Sequence, residues 1–268
     1  GLKKKSLVFI SKLTFPSTVI SLLKADYQVK YLDYDANLNP MLSTKYEKLK
    51  PDLIVVTHPF GIPIKNTFID KIKEKNKNLK IIFDCSHTQG AKIDNKYLNE
   101  YSDISFFSIQ GSKAISGGEG GLILTNSEKY YNRMIDLSHP GRKNNETLNS
   151  FAGLSIDTKF RMHPVAAIIA QSNLKNLENK NFEISKKFKN IYSLLNNNDL
   201  LKIPKVNYSE LGGFHHGLPF IIMDKTEKIQ NNKYVPILDY NWPNYEKNEF
   251  YNPDNFSLKD IETLQKEY

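Results

Sequence analysis

With 268 residues, 40% of them hydrophobic and 12% aromatic, the chain can build a sizeable core, which excludes a disordered polypeptide. Its formal charge is +8, yet only Arg133, Arg142 and Arg161 among 37 basic residues are arginines; lysines spread among asparagines read as a solvated surface and not as a nucleic-acid interface. A single cysteine, Cys85, no apolar run near the ~20 residues of a bilayer span and no readable signal peptide lead to the expectation of a soluble cytoplasmic protein, with no nucleic-acid or membrane partner.

In chain order, SLVFI at 6–10 reads as a strand and FPSTVISLLKA at 15–25 as a helix, with Pro16 in the first turn where its missing N–H does no harm. VKYLDYD (29–35) and DLIVVTH (52–58) are strand candidates. TFIDKIKEKNKN (67–78) carries Phe68, Ile69 and Ile72 at helical spacing. KIIFD (80–84), DISFFS (103–108) and GLILTN (121–126) are further strands. Strands alternating with helices predict an α/β fold with a mainly parallel sheet covered by helices on both faces. Residues 163–197 predict one long helix or two in tandem, with Pro164 near the start. They lead into a smaller C-terminal α+β lobe with strands at 218–223 and 234–238 and a last helix capped by Ser257. The expected division is a large domain over 1–162, followed over 163–268 by a connecting helix and the small domain.

In parallel sheets, ligands collect at the carboxyl ends of strands. His58, Asp84 and Ser108 each end a strand candidate. A carboxylate such as Asp84 at the end of a buried strand loses solvation and needs a positive partner; read alone, it is as well explained as a turn or helix cap. His87, three residues on, reads alone as a local hydrogen-bonding residue. Lys113, in FFSIQGSKAISGGEGGLILT, lies just past a strand end. Ser108 and Ser112 flank it with hydroxyls, and Gly111 exposes backbone suited to an anion. The glycines that follow allow close approach of another group. The P-loop pattern G-x-x-x-x-G-K-[ST] is absent, as is a G-x-G-x-x-G after the first strand. An amine, a deep carboxylate and hydroxyl ligands for a phosphate together describe a site for pyridoxal phosphate.

Three stretches in order, KIIFDCSHTQGAKI, FFSIQGSKAISGGEGGLILTN and TKFRMHPVAAIIAQSNLKNL, resemble the signatures of the DegT/StrS sugar aminotransferases, which are pyridoxal phosphate enzymes of fold type I. The resemblance covers most of residues 5–180. It implies that Lys113 carries the cofactor as a Schiff base and shuttles protons, that Asp84 pairs with the pyridine nitrogen, and that His87 lies near the ring or its 3-oxygen. It further implies that Ser108 binds the phosphate, that Phe15 stacks on the ring, and that Lys159 replaces an asparagine reaching a neighbouring subunit's phosphate. The implied activity is transfer of an amine from an amino acid, glutamate by expectation, to a nucleotide-linked keto-sugar, by a homodimer with shared sites. Cell-envelope polysaccharide synthesis is the family-level pathway. A related branch that dehydrates sugars has histidine in place of the lysine, and Lys113 argues against it. Family members carry further N-terminal residues with a Gly-Thr/Ser phosphate loop that this sequence does not display. The alternative reading is therefore a truncated, non-catalytic homologue serving as a binding or structural subunit.

Overall fold

A computed structural model describes residues 2–35, 37–42, 44–65, 67–138, 160–195, 201–213, 219 and 221–222. The chain opens with strand β1 (Leu7–Ser11), helix α1 (Pro16–Lys24) and strand β2 (Gln28–Tyr34). Pro16 starts α1, and Val19 is the residue it buries. The helix stops at Ala25, whose N–H reaches back to Ser21, and the chain reverses through Asp26 at a positive φ of 61°. The short β3 (Pro40–Met41) pairs antiparallel with β2. Strand β4 (Leu53–Thr57), helix α2 (Thr67–Lys75) and strand β5 (Lys80–Asp84) follow. A two-strand hairpin, β6 (Lys92–Ile93) and β7 (Lys96–Tyr97), turns through Asp94 and Asn95, both at positive φ. Next come β8 (Ile104–Ser108), β9 (Gly121–Leu124) and α3 (Glu128–Ser138). The span expected to be one helix or two is two, α4 (Pro164–Leu174) and α5 (Leu177–Leu195). A small antiparallel pair, β10 (Leu201–Lys202) and β11 (Ile221–Ile222), completes the described chain.

Seven strands form one sheet in the order β3-β2-β1-β4-β5-β8-β9. The pairs from β2 through β8 are parallel, and the two flanking pairs are antiparallel. The chain runs outward from β1 to β2, then returns to the other side of β1 with β4. The gap beyond the carboxyl ends of β1 and β4 is thus a topological switch point, where open α/β sheets bind ligands.

Period-two alternation splits the core across the two faces. Phe9, Ile54, Val56, Ile81 and Phe83 point to the side of α2, where Ile69 and Ile72 cover them. Val8, Ile10, Val29, Leu53 and Val55 point to the side of α1, under Val19. Every residue of β4 is buried, as a central parallel strand requires. Each fully buried aliphatic side chain contributes about 1.5–3 kcal/mol of transfer free energy. Edge strand β9 differs, with all four of its residues exposed. On the α1 side, the sheet near β8 borders a groove of about 1050 Å³, lined in part by Thr18, Leu22, Ile82, Phe106, Gly117 and Met162. No helix among the described residues is long and apolar enough to cross a membrane.

The strands expected at 234–238 and the helix from Ser257 lie outside the described residues, as does most of the expected C-terminal lobe. Ile54 has no exposed surface, whereas Val165 on α4 is 54% exposed. Chemical denaturation should therefore show Ile54→Ala destabilised by about 2–5 kcal/mol. Val165→Ala should stay within about 0.5 kcal/mol of the parent.

Candidate active site

Strand register places the chemistry. Thr57 at the end of β4 is level with Asp84 at the end of β5, and Asp84 is level with Phe106 in β8. These residues end on one edge because they are neighbours in a parallel ladder. Between β1 and β4 the edge is closed by buried hydroxyls. The Thr57 N–H donates to Ser11 Oγ at 3.0 Å, and the Thr57 hydroxyl donates to Thr14 Oγ1 at 2.6 Å.

Asp84 is 3% exposed. The Ser86 N–H donates to its Oδ1 at 3.1 Å, and the Thr18 hydroxyl donates to its Oδ2 at 3.2 Å. Thr18 lies in the first turn of α1, so this bond also fixes the helix against the strand end. Loss of solvent pushes the Asp84 carboxyl above its usual range. The hydrogen bonds from Ser86 and Thr18 and the Lys113 charge pull it back in part.

Lys113 follows β8 in a loop that folds back on itself. Its N–H donates to Gln110 O at 2.9 Å, the Gly117 N–H to Ile109 O at 2.8 Å, and the Ile109 N–H to Gly120 O at 3.0 Å. The side chain is half-buried. Burial lowers the pKa of its amine to about 8, and the Asp84 charge holds it from falling further. Asp84 and Lys113, two of the residues singled out in the sequence, are thus brought within electrostatic reach of each other.

The glycines after Lys113 have a local cause. A Cβ on Gly117 would stand 2.6 Å from the carbonyl oxygen of Ala166 and 2.8 Å from Ile109 Cδ1, so α4 approaches the loop only because no side chain is there. Gly120 has φ +135°, which L side chains rarely adopt.

The other expected site residues are placed as follows. His87 is buried on the turn directly after Asp84, its ring 6.4 Å from that of Phe60. Ser108 ends β8, and its Oγ accepts the Gln110 N–H at 3.3 Å. Phe15 precedes α1 and is 57% exposed. Lys159 lies outside the described residues. Ser112, expected to flank an anion, is exposed and engaged locally, with its hydroxyl and its N–H both donating to Gln110 Oε1. His58 is fully buried. Its Nδ1 accepts the Ile64 N–H at 2.8 Å, and its ring meets Phe83 edge-on at 4.4 Å. Burial lowers its pKa to about 3, so it is a neutral packing residue at physiological pH.

Three residues of the site escaped the sequence reading. Thr18 holds Asp84. Gln89, 1% exposed, reaches the Lys113 loop: its Oε1 accepts the Ile115 N–H at 2.6 Å, and its Nε2 donates to Ser108 O at 2.6 Å. Asn181 on α5 donates to Gln89 O at 3.0 Å. A polar residue just before the glycine of a turn that follows a strand was the one available signal for Gln89.

A parallel sheet with a buried carboxylate and a softened lysine at its carboxyl edge defines an α/β protein of the kind that holds a small anionic cofactor at that edge. The chain belongs to the DegT/DnrJ/EryC1/StrS aminotransferase family, whose model matches residues 1–253. It is 29% identical over 144 residues to the GDP-perosamine synthase of Escherichia coli O157:H7, covering 53% of this chain and 39% of that protein. It is 26% identical over 183 residues to the UDP-4-amino-4,6-dideoxy-N-acetyl-beta-L-altrosamine transaminase of Campylobacter jejuni, covering 66% and 48%. Among solved structures, the Escherichia coli GDP-4-keto-6-deoxy-D-mannose-3-dehydratase with bound hydrated pyridoxal phosphate superposes with a TM-score of 0.68 at 20% identity, covering 84% of this chain and 61% of that one. A 3-amino-5-hydroxybenzoic acid synthase also superposes with a TM-score of 0.68, at 19% identity, covering 83% and 58%. The chain therefore spans less than two thirds of the length of each of these proteins.

Two titrations follow from the burial of these groups. Amine-selective labelling read by mass spectrometry should give Lys113 a reactivity midpoint near pH 8. Asp84→Asn, which removes the charge that raises it, should move the midpoint lower. A midpoint near the ordinary lysine value would contradict the burial. For His58 the folded pKa lies below the unfolded value, so the unfolded state binds the extra proton. Its contribution to stability is full above about pH 6.5 and is lost as pH falls towards 3, by up to about 1.4 kcal/mol per pH unit. Denaturation midpoints measured from pH 7 to pH 4 should fall less steeply in His58→Gln than in the parent.

Proposed function

We propose that the protein is a pyridoxal phosphate-dependent aminotransferase that passes an amine from an amino acid, glutamate first among the donors, to a nucleotide-linked keto-sugar. The observation that carries this reading is the half-buried Lys113 amine, with a pKa near 8, in electrostatic contact with the buried carboxylate of Asp84 at the carboxyl edge of the sheet. The residues suit the cofactor. A carboxylate has about four acceptor positions, and the bonds from the Thr18 hydroxyl and from the Ser86 N–H and side chain use three of those on Asp84. It is left able to receive a pyridinium N–H, and a cation there would relieve its burial. The Ser108 hydroxyl, whose oxygen accepts from Gln110, keeps its own proton to donate to a phosphate. Phe15 and His87 would supply ring surfaces for the cofactor.

Bound there, pyridoxal phosphate would supply a carbonyl carbon that takes up an amine and a ring that withdraws electrons from the carbon losing a proton. Asp84 would keep the ring nitrogen protonated. Lys113 would hold the cofactor between turnovers and carry the proton from one carbon to the other, a task suited to a base titrating near neutrality. Ser108, with Lys159 of a second copy, would hold the phosphate, and two copies would share their sites. Lysine at position 113 supports amine transfer over sugar dehydration. The named relatives act on GDP- and UDP-linked sugars, which supports a nucleotide-sugar acceptor. We place the reaction in the cytoplasm, in the synthesis of cell-envelope polysaccharide.

The test is a visible absorbance spectrum of the purified protein with added pyridoxal phosphate. The parent should develop a Schiff-base band that glutamate bleaches. Lys113→Ala should show none and should lose turnover by several orders of magnitude, and Asp84→Asn should bind the cofactor but turn over poorly. A parent without the band, or an active Lys113→Ala, would overturn the proposal in favour of a binding or structural subunit.

A further inference from the structure

We infer that Gln89 is the positioning residue for Lys113, and that Asn181 ties its hold to helix α5 and to the backbone at Gly212 and Gly213. The inference rests on Lys113 being the reactive amine of the site.

The Gln89 side chain is almost wholly buried and uses both ends of its amide. Its Oε1 accepts the Ile115 N–H at 2.6 Å. Its Nε2 donates to Ser108 O at 2.6 Å and, more weakly, to Ile115 O at 3.3 Å. Ser108 lies five residues before Lys113 and Ile115 two after it, so one amide clips both limbs of the loop that presents the lysine. The loop's own bonds, between Ile109 and Gly120 and between Gly117 and Ile109, close its base. Gln89 alone, among the described partners, bridges from outside the loop to both sides of Lys113.

Gln89 is itself held. Asn181 Nδ2 donates to its carbonyl at 3.0 Å, and Asn181 Oδ1 accepts the Gly213 N–H at 3.1 Å. Asn181 is 7% exposed. The fit around the turn is close: a Cβ on Gly213 would stand 2.6 Å from Gln89 N, one on Gly212 2.8 Å from Gln89 O, and one on Gly90 2.8 Å from Asn181 Nδ2. Two buried amides in series thus join α5 and residues 212–213 to the lysine loop. Only an amide satisfies the site at position 89, because it must accept from one N–H and donate to two carbonyls. Glutamate of the same shape faces those carbonyls with no proton to give, and methionine of similar length offers neither group.

The depressed pKa of Lys113 depends on the loop keeping its amine half-buried, so its titration reports the hold directly. The experiment is performed on the full chain without cofactor. Gln89→Met, Gln89→Glu and Asn181→Ala are compared with the parent by far-ultraviolet circular dichroism, hydrogen exchange of the 108–117 segment, and pH-dependent amine labelling of Lys113. In the Gln89 variants the exchange of that segment should rise about tenfold, and the Lys113 midpoint should move up by about one pH unit, which lowers the reactive fraction at pH 7 tenfold. Asn181→Ala should shift both in the same direction by less. Folded Gln89 variants with the parent's exchange and midpoint would refute the inference. If the Gln89 variants do not fold, an Asn181→Ala protein with unchanged exchange and midpoint refutes it. Adding pyridoxal phosphate to each protein separates the two readings. Shifted midpoints with no cofactor band in the parent would sink the cofactor assignment and leave the positioning role standing. A band in the parent with unchanged midpoints would do the reverse.

Discussion

The site depends on the mutual tolerance of a buried carboxylate, Asp84, and a half-buried amine, Lys113. Burial alone favours neutral Asp84 and neutral Lys113, and both groups are displaced in that direction. Each charge supports the other, so each group is displaced less than burial alone would displace it. Removing one member of such a pair leaves the other desolvated and uncompensated, which costs more than the pair itself contributes. The surrounding structure accordingly fixes the pair from several sides. Thr18 in α1 and Ser86 in the turn after β5 donate to the carboxylate, while the β8–β9 loop carries the amine.

Much of this frame is legible in the sequence, because apolar runs bounded by turn residues specify the strands and the strand ends specify where ligands gather. Asp84 and Ser108 end their strands as expected, and His58 follows directly on β4. The departures have local causes. The helix read over 67–78 stops at Lys75 because the Asn76 side chain leaves the helical pattern. It donates to Pro51 O and accepts the Asn78 N–H, competing with the next helical turn. The strand read to residue 126 stops at Leu124 because the Thr125 hydroxyl turns to Asp103 O and accepts the Ser127 N–H. Helix α3 was not read at all. Its apolar residues Tyr130, Tyr131, Met134 and Ile135 do recur at helical spacing, but the residues that mark its start, Ser127 and Glu128, give only a weak capping signal.

The positions of the candidate site residues were legible to the same depth. A lone lysine after a strand and a lone carboxylate at a strand end are properties of short stretches. The supports that tune them are not. Thr18 meets Asp84 across 66 residues of chain, Gln89 meets Ile115 across 26, and Asn181 meets Gln89 across 92. Such pairings exist only after helices dock, and no local spacing announces them. The glycine cluster shows both cases. The requirement for glycine at Gly120 is a backbone angle within the loop, whereas that at Gly117 is the carbonyl of Ala166, which α4 brings from far along the chain.

Partial burial of the lysine explains why these distant supports matter. A fully exposed lysine keeps a pKa near 10.4 and is almost never a base at neutral pH, whereas a fully buried one falls by several units and loses its hold on the proton. Proton transfer is most effective when the shuttling group titrates near the working pH. In the proposed role Lys113 would meet that condition through its intermediate depth, and depth is a property of the loop and not of the residue. The loop, in turn, has no apolar anchor at its tip. Gly111 and Ser112 are exposed, and what keeps the chain close is the set of backbone bonds at its base together with the amide of Gln89 and that of Asn173 on α4, whose Nδ2 donates to Ser116 O at 2.9 Å. The acidity of one amine is therefore set by packing between α5, the 212–213 segment and the turn after β5, all of which lie outside the stretch of sequence that contains it.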